Sequence, residues 1–261
     1  SKLSSSDDLS SIETKGFRGE ALASIGAVSE LVVASRIGDG DGVQIRVDNG
    51  IVGDVEAAGI APGTRIDVLS LFAKVPARLS FQRRPSTETA AIVDVGVQMA
   101  LAEPNAGILI EVDGRKVLDC PPTESAEDRL YDLFGSTSSE LIPLTSSQAD
   151  SDAPGGEKWT GWISPPGLNR SRADDVHILV NGRPVSPGPF LQSVRRGYHT
   201  RLMVGRHPIG VLLLSLPADE VDVNVHPTKR EVRLKNSWRV LERLERSIKH
   251  TLSQIATRPE A

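Results

Sequence analysis

Cysteine is almost missing from this 261-residue chain, where Cys120 stands alone. A lone cysteine excludes a disulfide framework and any cysteine-built metal cluster, and it suits a reducing cytoplasm. Cys120 itself reads as a buried residue at a strand end rather than a reactive thiol. Aromatic residues make up only 4% of the chain, so a core must come mainly from Val, Leu, Ile and Ala. No apolar run is long enough to span a bilayer, and the opening SKLSSSDDLSS has no hydrophobic stretch of the kind that directs secretion. Five histidines, His177, His199, His207, His226 and His250, are scattered without metal-ligand spacing, so no structural metal is expected. What remains is an ordinary soluble composition, 39% hydrophobic and 25% charged, long enough for one large domain or two ordinary ones.

A strong excess of positive charge is missing too. The formal net charge is -4, which argues against a wholly basic nucleic-acid binder. The acids are unevenly placed, however. Between Val176 and Ala218 there is none, while Arg183, Arg195, Arg196, Arg201 and Arg206 all fall there with three of the histidines. Such a stretch can present a local anion-binding face on an acidic chain.

Periodicity and turn residues set out the elements. Glu20 to Ile25 is good helix sequence ended by Gly26. SELVVASR alternates as a strand, and Asp48-Asn49-Gly50 predicts a hairpin between VQIRV and IVGDVEA. GTRIDVLSLF, from Gly63 to Phe72, is a further strand broken by Pro76-Ala77-Arg78. The spacing of Ile92, Val95, Met99 and Ala102 predicts a helix over 86–103, and Asp113-Gly114 marks a hairpin within 107–120. Pro121-Pro122 stiffens the chain, and a new helix begins at Ser125. LIPLTSS and KWTGWIS read as strands joined by a long polar connection, HILVNGRPV as a strand entering a turn, and the segment from Pro189 to about Gly197 as a helix. PIGVLLLSLP predicts a strand buried on both faces. EVDVNVHP alternates as a strand, and Trp238 to Ile255 closes as an amphipathic helix with Leu241, Leu244, Ile248 and Leu252 inward. Strands held mostly in hairpins, mixed with helices in both halves, predict α+β layers.

Two segments carry the chemistry. In GFRGEAL, Gly16 and Gly19 flank two residues just before a helix, so backbone N–H groups and the positive helix end can face a phosphate, with Arg18 adding charge. Glu20 favours the helix dipole but repels phosphate, which suits a structural role. In VDVNVHPTKREVR a strand ends in a turn that carries Lys229, a point charge able to respond to a terminal phosphate. Arg195, Arg196 and Arg201, within the acid-free stretch, are candidate anion contacts. Asn181-Gly182-Arg183 is read as a structural turn.

Through GFRGEALASI, GTRIDVLSLF, PAR, HILVNGRPV and VDVNVHPTKREVR, the chain resembles the MutL family of DNA mismatch repair proteins over nearly its whole length. That family belongs to the split ATPases, shared with gyrase B, a heat-shock chaperone and the histidine kinases. The resemblance implies a partial two-layer α/β nucleotide-binding sandwich over 1–122, followed by a ribosomal-protein-like α+β transducer over 123–261. It implies an ATP lid at Gly16, Phe17, Arg18, Gly19, Glu20, Ala21 and Leu22, with Ser1 and Lys2 near the nucleotide. It also implies the Thr64 hydroxyl near the adenine, Lys229 at the γ-phosphate, and a non-specific DNA phosphate contact at Arg195, to which the neighbouring Arg196, His199 and Arg201 could add. Its implied cofactors are ATP and Mg2+. Its implied partners are DNA bound non-specifically, a MutS-type recognition protein and a second copy or paralogue, with no membrane. Its setting is the cytoplasm at the nucleoid, or a nucleus.

The family's glutamate base, Mg2+-holding asparagine and Asp-x-Gly-x-Gly loop precede the lid, and none occurs here. Asp39-Gly40-Asp41-Gly42 follows the lid and falls in a hairpin region. The chain starts at Ser1, close to a motif, and reads as part of something longer. On this reading no catalytic residue lies in the chain; alone, it binds ATP weakly and does not hydrolyse it. Rival expectations are a type II topoisomerase subunit, or a non-enzymatic DNA-binding scaffold.

Overall fold

A computed structural model describes residues 21–145, 156–222 and 232–256. Contacts divide the chain into two units, Ser1–Thr87 and Glu88–Ala261. Among the described residues no helix is long and apolar enough to cross a membrane.

The first unit is an antiparallel sheet with a short helix at one end. α1 (Ala21–Gly26) leads into β1 (Glu30–Arg36), followed by β2 (Val43–Asp48), β3 (Ile51–Ala57) and β4 (Gly63–Leu69), in the spatial order β3-β2-β1-β4. Asn49 and Gly50 turn the β2–β3 hairpin with φ of 47° and 90°, the left-handed pair that such two-residue loops need. The same turn is tied to the end of α1, because the Gly50 N–H donates to the Gly26 carbonyl at 2.9 Å. β4 stops at Leu69, short of the expected Phe72: Ser70 and Phe72 take positive φ, and Pro76 then opens a one-turn helix, α2 (Pro76–Leu79). Proline is well placed there, since the first helical N–H has no partner anyway.

Registers place Val33 opposite Ile45 and Ile66, and Ile45 opposite Val55, so these residues share one face of the sheet. Arg46, Asp67 and Gln44 pair across the other. The sheet is thus amphipathic, yet Val55 is 65% exposed and Ile66 45%.

The second unit begins in α3 (Pro85–Ala102), which crosses the division between units. It packs on a hairpin of β5 (Ile108–Val112) and β6 (Arg115–Cys120). The helix forms as the spacing predicts, and its apolar stripe is largely exposed: Ile92, Val95 and Met99 are all open to solvent, while Gly96 and Ala100 are buried. The small residues are the ones that let the helix approach, since a Cβ on Gly96 would lie 2.3 Å from Ile110 Cδ1. Cys120 ends β6, 1% exposed. Burial pushes its thiol up, against the opposing pull of the Arg129 guanidinium.

α4 (Ala126–Phe134) starts where the sequence places it, with Ser125 Oγ accepting from the Asp128 N–H at 3.1 Å. Its Arg129 is buried and acts as a clamp. Nη2 donates to the carbonyls of Pro104 and Pro121 at 2.7 and 2.8 Å, and Nη1 reaches Asp132 at 3.1 Å. One guanidinium therefore satisfies the carbonyls of two chain reversals.

The main sheet has five strands, β7 (Ile142–Pro143), β8 (Lys158–Ile163), β10 (Val176–Val180), β11 (Arg183–Val185) and β13 (Gly210–Ser215), in the order β11-β10-β13-β8-β7; β9 (Asn169–Arg170) lies apart, paired with β12 (His207–Pro208). β10 and β13 are parallel, joined by a crossover through α5 (Gly188–Tyr198). Beyond them lie β14 (Val221–Asp222), paired with β15 (Arg233–Leu234), and the last helix, α6 (Ser237–Ala256). Alternation splits the sheet cleanly. Ile178, Val180, Leu212 and Leu214 join Phe190, Val194, Leu244 and Ile248 in the core under α5 and α6. Leu179, Ile209 and Val211 pack with Leu130 on the opposite side. β13 is buried on both faces, as its unbroken apolar run requires. The expected inward face of α6 holds: Leu244, Ile248 and Leu252 are at most 2% exposed, and Leu241 is half-buried against the same core.

Candidate DNA-contacting site and the nucleotide-binding motifs

Asn181 and Gly182 turn β10 into β11 with φ of 49° and 72°. The Asn181 side chain accepts from the Leu216 N–H and donates to the Leu216 carbonyl, at 2.8 and 2.9 Å. This turn is structural, and it starts the chain toward α5. Pro187 and Pro189 set up the first turn of that helix, and Gly197 sets its depth. A Cβ at Gly197 would lie 2.6 Å from Ile248 Cβ and 3.2 Å from the Glu245 carbonyl, so only glycine lets α5 rest this closely on α6. Trp159 reinforces the pair from the sheet, donating from Nε1 to the Val240 carbonyl at 3.1 Å and meeting Phe190 edge-on.

That close approach creates a concavity of about 910 Å3 between the last turn of α5, the segment after it, and α6. Arg195, Arg196, Arg206 and Lys249 line it, with Glu245 as its carboxylate. Glu245 is paired with Lys249 one turn along α6. Arg195 and Arg196 are exposed in the last turn of α5, where cations also offset the negative helix end. Arg206 is oriented by Asn169, whose Oδ1 accepts from its Nε at 2.5 Å. Of the three arginines singled out from the sequence, Arg195 and Arg196 meet in the concavity. Arg201 is exposed on the 3-10 turn His199–Arg201, outside its lining.

Sequence reasoning missed Lys249, far along the chain on α6, and Met203 and Val204, which are 74% and 96% exposed at the rim. The acid-free stretch holds Arg195, Arg196 and Arg206; nothing local in the sequence marks α6 as the opposite wall.

The nucleotide motifs are described only in part. Ser1, Lys2, Gly16, Phe17, Arg18, Gly19, Glu20 and Lys229 lie outside the described residues. Ala21 and Leu22 form the exposed first turn of α1. Thr64 opens β4, its Oγ1 3.0 Å from Ser35 Oγ, with either hydroxyl able to donate. The pair is exposed, so it retains hydrogen-bonding capacity for a polar heterocycle. Among the described residues no three acidic, histidine or cysteine side chains gather in a way that could hold a metal ion, so no Mg2+ ligand is assigned.

The family model for the C-terminal domain of DNA mismatch repair proteins matches residues 131–253. The DNA mismatch repair protein MutL of Rhizorhabdus wittichii is 41% identical over 231 residues, 88% of this chain and 38% of the relative. The chain thus spans about two-fifths of the length of the curated relatives it matches. Among solved structures, the N-terminal domain of a DNA repair protein superposes with a TM-score of 0.77 at 24% identity, covering 92% of this chain and 76% of the other. The Aquifex aeolicus MutL ATPase domain complexed with ADP gives 0.62 at 21% identity, covering 82% and 76%. These likenesses establish the α+β fold of such ATPase domains, and with the sequence identity they show that the chain belongs to the MutL family of DNA mismatch repair proteins.

Proposed function

We propose that this chain is the nucleotide-responsive, DNA-contacting region of a MutL-type protein. ATP would order the lid around Gly16–Leu22 and bring Lys229 to the terminal phosphate. The region would then pair with a second copy or a paralogue, close on DNA, and pass a signal from a MutS-type protein to strand incision. The functional division lies near Pro122, with the nucleotide-binding part before it and the transducer from Thr123 onward. Thr64, with Ser35, would meet the adenine, and the lid glycines would supply backbone N–H groups to the phosphates. ATP, when bound, would supply the terminal phosphate that Lys229 would read, and Mg2+ would neutralise its charge.

One observation carries the DNA part of this reading: Arg195 and Arg196 stand exposed on a concave surface whose charged lining, Arg195, Arg196, Arg206 and Lys249 against Glu245, is net positive on a chain that is acidic overall. Phosphate contacts of this kind bind without reading sequence, and salt weakens them. No general base has motif support in these 261 residues, so the chain by itself is expected to bind nucleotide weakly without turnover. The test is binding of a labelled duplex across a KCl series, with Arg195→Glu/Arg196→Glu alongside. Strong loss of affinity at low salt supports the reading; identical curves end it. A steady-state phosphate-release assay showing metal-dependent turnover by this chain would overturn the inactivity.

A further inference from the structure

Across the sheet of the first unit, Val43, Ser35 and Thr64 stand side by side in one row, and Ile45, Val33 and Ile66 in the next row of the same face. Val43 and Ile66 are each 45% exposed, so the two hydroxyls border an open apolar floor. Their protons can be placed by counting. Ser35 Oγ lies 3.2 Å from the Gly63 carbonyl oxygen, to which it donates, and 3.0 Å from Thr64 Oγ1. A carbonyl can only accept, and serine has a single proton. The arrangement that makes both bonds therefore sends the Ser35 proton to Gly63 and the Thr64 proton to Ser35 Oγ. Thr64 Oγ1 keeps lone pairs and has no proton left to give. Cross-strand Ser–Thr pairs contribute to sheet stability wherever they occur. What singles this one out is that an oriented acceptor borders uncovered apolar surface.

We propose that Ser35 is a positioning residue that makes Thr64 an acceptor only, so that the site selects a flat heterocycle with an amino group on its edge, adenine, against one with a carbonyl there, guanine. The inference rests on the nucleotide-binding reading above and adds to it the residue that decides which base is taken. The ring lies on the floor beside Val33 and Ile66 with its edge at Thr64. The exocyclic amine of adenine donates to Thr64 Oγ1. The carbonyl of guanine sets acceptor against acceptor, and a polar group left without its partner is what a site of this kind rejects. Ser35 acts through Thr64 without touching the base. Once Ser35 Oγ is removed, the Thr64 hydroxyl is released to turn: it can accept from adenine or donate to guanine, and the preference between them goes.

The experiment measures the affinities of ATP, GTP and purine riboside triphosphate, which carries neither amine nor carbonyl, for the full 261-residue chain by ligand-observed NMR. The unaltered chain should favour ATP over each of the others by at least about fivefold, the worth of one hydrogen bond. Ser35→Ala should bring the ATP-to-GTP ratio below about twofold while leaving the ATP-to-purine ratio in place, because the released hydroxyl still accepts from the amine. Ser35→Thr restores a hydroxyl and should restore the discrimination. Circular dichroism checks that the sheet is intact, and Ser35→Cys, a much weaker donor, is read in the same way if alanine disturbs it. An ATP-to-GTP ratio that Ser35→Ala leaves unchanged, or that Ser35→Thr does not restore, overturns the inference. Thr64→Ala should abolish both ratios. If it does so while Ser35→Ala changes nothing, only the role of Ser35 falls. If Thr64→Ala changes neither ratio, or the unaltered chain shows no preference for ATP, the nucleotide reading at Thr64 falls as well.

Discussion

The Tyr198 hydroxyl donates to the Ser164 carbonyl at 2.5 Å, joining the last turn of α5 to the end of β8 deep in the core. Ser164 is itself fully buried and exchanges backbone and side-chain bonds with Ile209. Burial pushes the Tyr198 phenol well above its ordinary value of 10.0. A raised acid pKa means that above about pH 10 the unfolded chain loses a proton the folded chain keeps, so stability falls as pH climbs. Tyr198→Phe should cost about 1–2 kcal/mol at neutral pH and remove this tyrosine's share of the alkaline loss. Denaturant titrations of both proteins at neutral pH and at about pH 10.5 test it; parallel losses at high pH would count against the assignment.

His177 predicts the acid side. It lies on β10, 8% exposed, with its ring 6.1 Å from that of Phe134. Desolvation holds its pKa below the ordinary 6.5, outweighing the carboxylates of Asp94 and Asp175. The folded state therefore resists a proton that the unfolded state accepts. The stability from neutral His177 is complete above about pH 6.5 and is lost as pH falls below it toward the lowered folded value. His177→Leu should flatten the stability profile between about pH 7 and about pH 5, read from thermal midpoints in a common buffer series.

Two glycines should rank in a definite order. Gly161, in the middle of β8, has φ 124°, and a Cβ there would sit 2.0 Å from the Val211 carbonyl oxygen. Gly161→Ala confronts backbone on a central strand and should prevent the second unit from folding, visible in the emission of Trp159 and Trp162 on either side. Gly197→Ala meets mainly the Ile248 side chain and should cost about 1–3 kcal/mol while tilting α5 off α6. A fully folded Gly161→Ala protein would contradict the ordering.

Arg195→Glu/Arg196→Glu should change the salt dependence as well as the affinity. Removing one phosphate neutralisation lowers the steepness of log K against log salt by about 0.9, so removing two should lower it by about 2. An unchanged slope with reduced affinity would point to altered structure rather than to missing arginine–phosphate pairs.

The open sheet face predicts behaviour in concentrated solution. Val55, Ile66 and Val68 lie uncovered on the same side. Val55→Thr/Ile66→Thr keeps the β-branched shape that strands favour and removes apolar surface. The variant should bind less of a hydrophobic dye and scatter less light, with an unchanged circular dichroism spectrum. Unaltered dye binding would mean the face is covered in solution.

Much of this architecture is written in neighbouring residues. Asn49-Gly50, Asp113-Gly114 and Asn181-Gly182 announce their hairpins, because only a few residues accept positive φ. Ser125 announces α4, because its hydroxyl can reach an N–H three residues on. The spacing of Leu244, Ile248 and Leu252 announces the buried face of α6. Even the arginine-rich stretch is visible as a run without acids. The spacing along α3 announces the helix, but periodicity does not show which face the β5–β6 hairpin will meet. There Gly96 and Ala100 won by size.

Family membership, the local turns and helices, and the residues that carry charge can all be read along the chain. Folding in three dimensions had to supply the parallel pairing of β10 with β13, the clamp made by Arg129, and the hollow that Arg195 and Arg196 share with Lys249 beside Met203 and Val204. The difference is one of range. Backbone dihedrals, caps and side-chain spacing act over a few residues and leave their mark in order along the chain. A cavity wall depends on how closely two distant helices can pack, and here that depth is set by the absence of a single Cβ at Gly197.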